Sequence, residues 1–138
     1  MHSNQLIKAI EESLTRYAED FERLSDQTED EALWGVEVNE SASGFISLEK
    51  NDFLDDYVLT FSLSLGSVED LSREDLLELL LLNRDLPGSC LTVTPPFSDS
   101  PEQFLLLYKM APARDFQPDT IPRQLDHLQD LMESFFGE

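Results

Sequence analysis

Apolar residues recur near the start of the chain with a helical beat. Ile7, Ile10, Leu14, Tyr17, Phe21 and Leu24 are spaced 3, 4, 3, 4 and 3 apart, and Glu11, Glu12, Glu19, Asp20 and Glu22 occupy the remaining positions. One stripe of this kind predicts a helix over residues 5–25 that lies with its apolar side on a sheet. It is too short for a coiled coil, which needs the pattern sustained over several heptads. The run from Asp26 to Glu31 is polar and reads as a loop.

The period then changes from helical to alternating. Residues 32–40 place Trp34, Val36 and Val38 on one face, and residues 44–49 place Ile46 and Leu48 on one face with Phe45 on the other. Residues 57–65 set Tyr57, Leu59, Phe61, Leu63 and Leu65 against Val58, Thr60, Ser62 and Ser64. Three strands follow, and the short polar separators 39–44 and 50–56 make them an antiparallel meander. The second separator carries Phe53 and Leu54 among acids.

Ser72 with Asp75 three residues on is a capping-box variant that opens a helix over 72–84. Leu76, Leu77, Leu79, Leu80, Leu81 and Leu82 are interrupted only by Glu78, so the helix is apolar nearly all round. One sheet cannot cover such a circumference, and a second subunit is the natural cover for the rest. Pro87 and Gly88 end it. Residues 89–94 read as a fourth strand, with Leu91 and Val93 opposite Cys90, Thr92 and Thr94. A proline-rich loop spans 95–101. Residues 103–110 read as a fifth strand, apolar on both faces and therefore central. After an irregular stretch over 111–118, Ile121, Leu125, Leu128, Met132 and Phe135 stripe a closing helix over 120–136.

Composition narrows what such a chain does. Its 138 residues suit a single domain, and 41% hydrophobic residues suffice for a core. Nine basic against 29 acidic residues leave a net charge of -20. That field repels nucleic acid and anionic membranes and favours a basic partner. An acidic mimic of nucleic acid would need its charge arrayed at phosphate-like spacing, whereas these acids are spread over all helices and loops. No apolar run reaches the roughly 20 residues of a membrane span. Met1-His2-Ser3-Asn4 leads straight into the amphipathic pattern, so a cytoplasmic location is the default.

The residues for chemistry are sparse. Cys90 is the single cysteine, and His2 and His127 stand far apart, which excludes a disulfide and the usual zinc spacings. Cys90 reads as a small strand hydrophobe, and His127, beside Asp126, as a solvated side chain. Five scattered glycines form no phosphate loop or nucleophile elbow. Asp52, Asp55 and Asp56 lack the spacing of a calcium loop. Neither an enzymatic activity nor a cofactor is expected.

The leucine-rich helix ending in Leu81-Leu82-Asn83, the turn after it, the strand Cys90–Val93 and the strand Phe104–Met110 before a last helix stand in a telling order. With the helix and three strands that precede them, they resemble the class I type III secretion chaperones (the CesT/SycE-like family) over the whole chain. The resemblance implies one α+β domain over residues 1–138, ordered α-β-β-β-α-β-β-α, with a twisted antiparallel sheet packed by helices. It implies a homodimer without nucleotide or metal that holds the N-terminal segment of a secreted effector and keeps it competent for secretion. The seam is then expected at Leu77, Leu81, Leu91 and Val93, and the client surface at Trp34, Phe45, Phe53 and Leu54. The YbjN-like domains share the outline, so a regulatory or scaffold domain without a secretion client is the alternative.

Overall fold

The computed structural model describes residues 3–24, 31–40, 42–94 and 102–136. The loops expected over 26–31 and 95–101 lie almost wholly outside the described residues. Helix α1 (Ser3–Tyr17) leads into strands β1 (Asp20–Arg23), β2 (Ala32–Asn39), β3 (Ala42–Asn51) and β4 (Asp56–Ser67). Helix α2 (Arg73–Leu82), strands β5 (Cys90–Val93) and β6 (Phe104–Pro112), a 3-10 turn (Ala113–Asp115) and helix α3 (Thr120–Phe136) complete the chain. The strands form one antiparallel sheet in the order β1-β2-β3-β4-β6-β5.

The architecture is the expected α+β domain, with β2, β3 and β4 as the meander and β6 inside the sheet. The alternation of 57–65 points Leu59, Phe61 and Leu63 to the same side as Trp34, Ile46 and Leu48, and all six are fully enclosed. Ile7, Ile10 and Leu14 of α1 and Ile121, Leu125 and Leu128 of α3 cover that side. The Ser13 hydroxyl donates to the Pro118 carbonyl at 3.3 Å and ties α1 to the turn before α3.

One correction concerns the first element. The helix stops at Tyr17, and Phe21 lies in β1, a strand absent from the sequence expectation. Phe21 and Leu24 fall in phase with the helical stripe, but in an extended segment residues three apart lie on opposite faces, and here Phe21 packs against the core while Leu24 is exposed beside Leu33. The ladder decides between them. The Glu19 amide donates to the Glu37 carbonyl at 3.0 Å and the Leu24 amide to the Leu33 carbonyl at 2.9 Å, so this segment covers the edge of β2 that would otherwise lie open. Leu24, just past the end of β1, is accordingly exposed rather than seated under a helix.

Helix α2 begins as expected. Ser72 accepts from the Asp75 amide at 3.1 Å, and Asp75 accepts from the Ser72 amide at 3.2 Å. At its other end Asn83 brackets Leu91: its Oδ1 accepts from the Leu91 amide and its Nδ2 donates to the Leu91 carbonyl. A side-chain amide thus satisfies main-chain groups of β5, the outermost strand at this edge of the sheet.

Candidate functional site

Two surfaces that carry apolar side chains are left without cover by the described residues. The first is α2. None of its residues is buried: Leu79 and Leu82 rest against the rim of the core, while Leu77, Leu80 and Leu81 are 49%, 59% and 61% exposed. Leu77 and Leu81 are one turn apart with Leu80 beside them, so they form one stripe facing away from the protomer.

The second is the sheet face opposite α1 and α3. Residues paired across a ladder share a face, so the register gives its layout in rows. One row runs Glu22, Gly35, Phe45, Ser62, Tyr108, Cys90. Beside it run Leu33, Ser47, Thr60 and Met110, with Leu24 at the margin. Ser47, Thr60 and Ser62 are buried although none of the described helices crosses them. Ser47 and Thr60 bond each other, and the Ser62 hydroxyl donates to the Phe45 carbonyl at 3.4 Å. The result is a satisfied hydroxyl floor with half-buried Phe45 and Leu33 and exposed Met110 around it.

The sequence-expected contact residues divide sharply. Phe45 lies on the open face, and Phe53 and Leu54 project from the β3–β4 turn at 95% and 55% exposure. The Leu54 amide donates to Asn51 Oδ1 at 2.9 Å, so the turn is closed by its own side chain. Six residues of strand, roughly 20 Å, separate Phe45 from the start of that turn at Asn51. Only an extended segment running along the sheet reaches both. Trp34 is a correction: it is fully enclosed and offers no surface to a client, because its strand parity points it into the core. Leu91 is also corrected, being buried in the core cluster, whereas Val93 is exposed.

Some members of the site escaped sequence reasoning. Glu11, assigned to the polar side of α1, accepts from Arg23 Nη2 at 2.7 Å and from the Trp34 indole at 3.2 Å. It thereby joins α1, β1 and β2 and fixes the edge beside the open face. The signal available was a lone Arg within an acidic stretch, too weak to act on. Leu24 and Met110 reach the open face only through pairing that no short-range pattern reveals.

Burial shifts the titration of three groups, Lys109, Cys90 and Tyr108. His127 is half-buried rather than solvated, and Lys109 Nζ lies 3.2 Å from its Nδ1. An ammonium only donates, so Nδ1 is the acceptor in this contact. Burial, with Arg123 nearby, holds Lys109 below the usual lysine range. On the open face, burial pushes the Cys90 thiol up. Burial also raises the Tyr108 phenol, with smaller contributions from Glu49 and Cys90. A thiol held protonated reacts slowly. Cys90 is therefore expected to consume a disulfide reagent several-fold more slowly at mildly alkaline pH in the native protein than in urea. Equal rates would remove burial as the cause.

No helix among the described residues is long and apolar enough to cross a membrane. No protein-family model matches the chain, and no curated protein sequence matches it significantly. A solved structure does share its fold: a chain of the HopA1–SchA chaperone–effector complex, with a TM-score of 0.54 at 16% identity, covering 96% of this chain and 94% of that one. The fold implied by the resemblance to the type III secretion chaperones is thus the fold this chain has.

Proposed function

We propose that this protein is a type III secretion chaperone, a non-enzymatic binding module that holds the N-terminal segment of an effector in the cytoplasm. The observation that carries the reading is the end-to-end likeness of its fold to a chain from a chaperone–effector complex. Two features of the chain support it. The sheet face that carries Phe45, Leu33 and Met110 is uncovered by the described residues, and helix α2 has no buried residue. In this reading α2 forms a homodimer seam, and the open face with the Phe53 turn receives the client. The client is a segment without fixed structure that becomes ordered on binding, by main-chain pairing and by side chains entering the sheet face.

The test is co-expression with N-terminal segments of candidate effectors, followed by purification of the complex and binding kinetics. The association rate is expected to fall as salt rises, since a net charge of -20 steers a basic segment. The dissociation rate should respond less, because apolar burial and strand pairing hold the complex. Phe45→Asp and Phe53→Asp should each weaken binding by about tenfold or more, equivalent to about 1.4 kcal/mol. Unchanged affinity in both variants would overturn the assigned surface. Failure of every candidate segment to co-purify would overturn the chaperone reading.

A further inference from the structure

At one end of the open sheet face lies a groove of about 360 Å³, and its lining is uneven in a way that selects a partner. Gly35 and Gly44 contribute no side chain to it, Phe45 and Phe104 supply apolar wall, and Asp20, Glu22 and Glu37 stand along the β1 side. Asp20 and Glu37 are directly opposite each other across the β1–β2 ladder, and Glu22 follows on the same face, opposite Gly35. Like charges in directly opposed positions destabilise a sheet. The ion pairs among the described residues are Glu11–Arg23, Asp56–Arg114 and Asp119–Arg123, and none involves these three carboxylates. Asp20 Oδ1 accepts from the Phe21 amide at 2.9 Å.

An apolar groove bordered on one side by unneutralised carboxylates fits a cation carried on an apolar chain. Resting on the chaperone reading, we propose that this groove seats one arginine or lysine of the extended client segment, with an apolar client residue next to it against Phe45 and Phe104. Arginine suits the seat better than lysine. Its planar fork can bond two carboxylates at once, and its less strongly hydrated guanidinium can stack on an aromatic ring. The cation offsets the repulsion between Asp20 and Glu37 that the free sheet sustains. This places the electrostatic contribution at a defined spot instead of spreading it over the whole acidic surface.

The sign of two measurements tests this together. The probe is a short synthetic peptide of alternating leucine and threonine with one central arginine, compared with its citrulline twin. The twin has nearly the same shape and no charge. Native protein should bind the arginine peptide about tenfold more tightly, and in D20N/E37Q that preference should disappear. The same variant, free of peptide, should melt about 1–3 °C higher than native protein, because the cross-strand repulsion is gone. Glu22→Gln alone should remove part of the preference. Chemical shifts of the Glu37 and Phe45 amides should respond to the arginine peptide and much less to its twin.

Equal binding of the two peptides by native protein would overturn the groove assignment. So would an arginine preference that survives in D20N/E37Q. The two readings also fail separately. An effector segment held equally by native protein and D20N/E37Q sinks the groove and keeps the chaperone. A protein that prefers the arginine peptide but retains no effector segment keeps the groove and sinks the chaperone.

Discussion

Replacing Gly44 with alanine is expected to cost about 3 kcal/mol or more, at the top of the range for overpacking, and to leave little folded protein at moderate urea. A Cβ built at this position would lie 1.8 Å from the Ser62 carbonyl oxygen, 2.8 Å from the Ser62 carbonyl carbon and 2.9 Å from the Leu63 Cα. All three are main-chain atoms of β4, at the centre of the sheet, so relief requires moving a strand. Domains of this size are stable by only about 5–15 kcal/mol, so a loss of that size shifts the midpoint far. Gly35→Ala is the control. Its new Cβ would meet Leu24 Cδ1 at 3.2 Å, the far end of an exposed side chain just after the edge strand, which can turn away. That variant should lose less than about 1 kcal/mol. Urea midpoints followed by circular dichroism separate the two. A Gly44→Ala protein with the native midpoint would show that β3 and β4 do not pass so closely.

What could be read from the sequence, and what could not, follows the range of the forces involved. The meander was legible because Tyr57, Leu59, Phe61, Leu63 and Leu65 alternate without a break, and alternation is a property of neighbours. The start of α2 was legible because the Ser72–Asp75 cap closes within four residues. The central place of β6 could be inferred from its two apolar faces, and it does lie between β4 and β5. Strand β1 was hidden, since Phe21 and Leu24 kept the beat of the helix before them. Only a hydrogen-bond demand made by β2, eight residues further on, broke that ambiguity.

The candidate site was less legible than the fold, and for the same reason. The family resemblance put Trp34 at the client surface, yet its parity with Val36 committed it to the core. Phe45 and Phe53 were both recognisable as odd apolar residues, but their separation along β3 is a matter of geometry. The groove joins Asp20 to Glu37 and both to Phe104, residues remote in sequence that meet only once register is set. Acids are so common in this chain that no pair of them stands out by itself. The structure singles out two by placing them face to face.

Converting Leu77 and Leu81 together to glutamate is expected to dissociate the proposed dimer while leaving each protomer folded. Both leucines are about half exposed or more in the protomer, and no residue of α2 is buried, so the core loses little when they change. A two-fold seam uses the same stripe from both subunits, so the substitutions place four carboxylates at one interface. Each unpaired charge withdrawn from water there costs several kcal/mol. Even about 4 kcal/mol in all weakens association a thousandfold. Light scattering should therefore report about twice 15.8 kDa for native protein and 15.8 kDa for the variant. Thermal unfolding of the variant should remain cooperative, with a midpoint that no longer depends on protein concentration. Leu54→Glu is the control: it adds one carboxylate per protomer at an exposed leucine on the β3–β4 turn, away from α2, and it should leave the dimer intact. A native protein that is monomeric at micromolar concentration would end the dimer proposal. A doubly substituted protein that stays dimeric would move the seam away from α2.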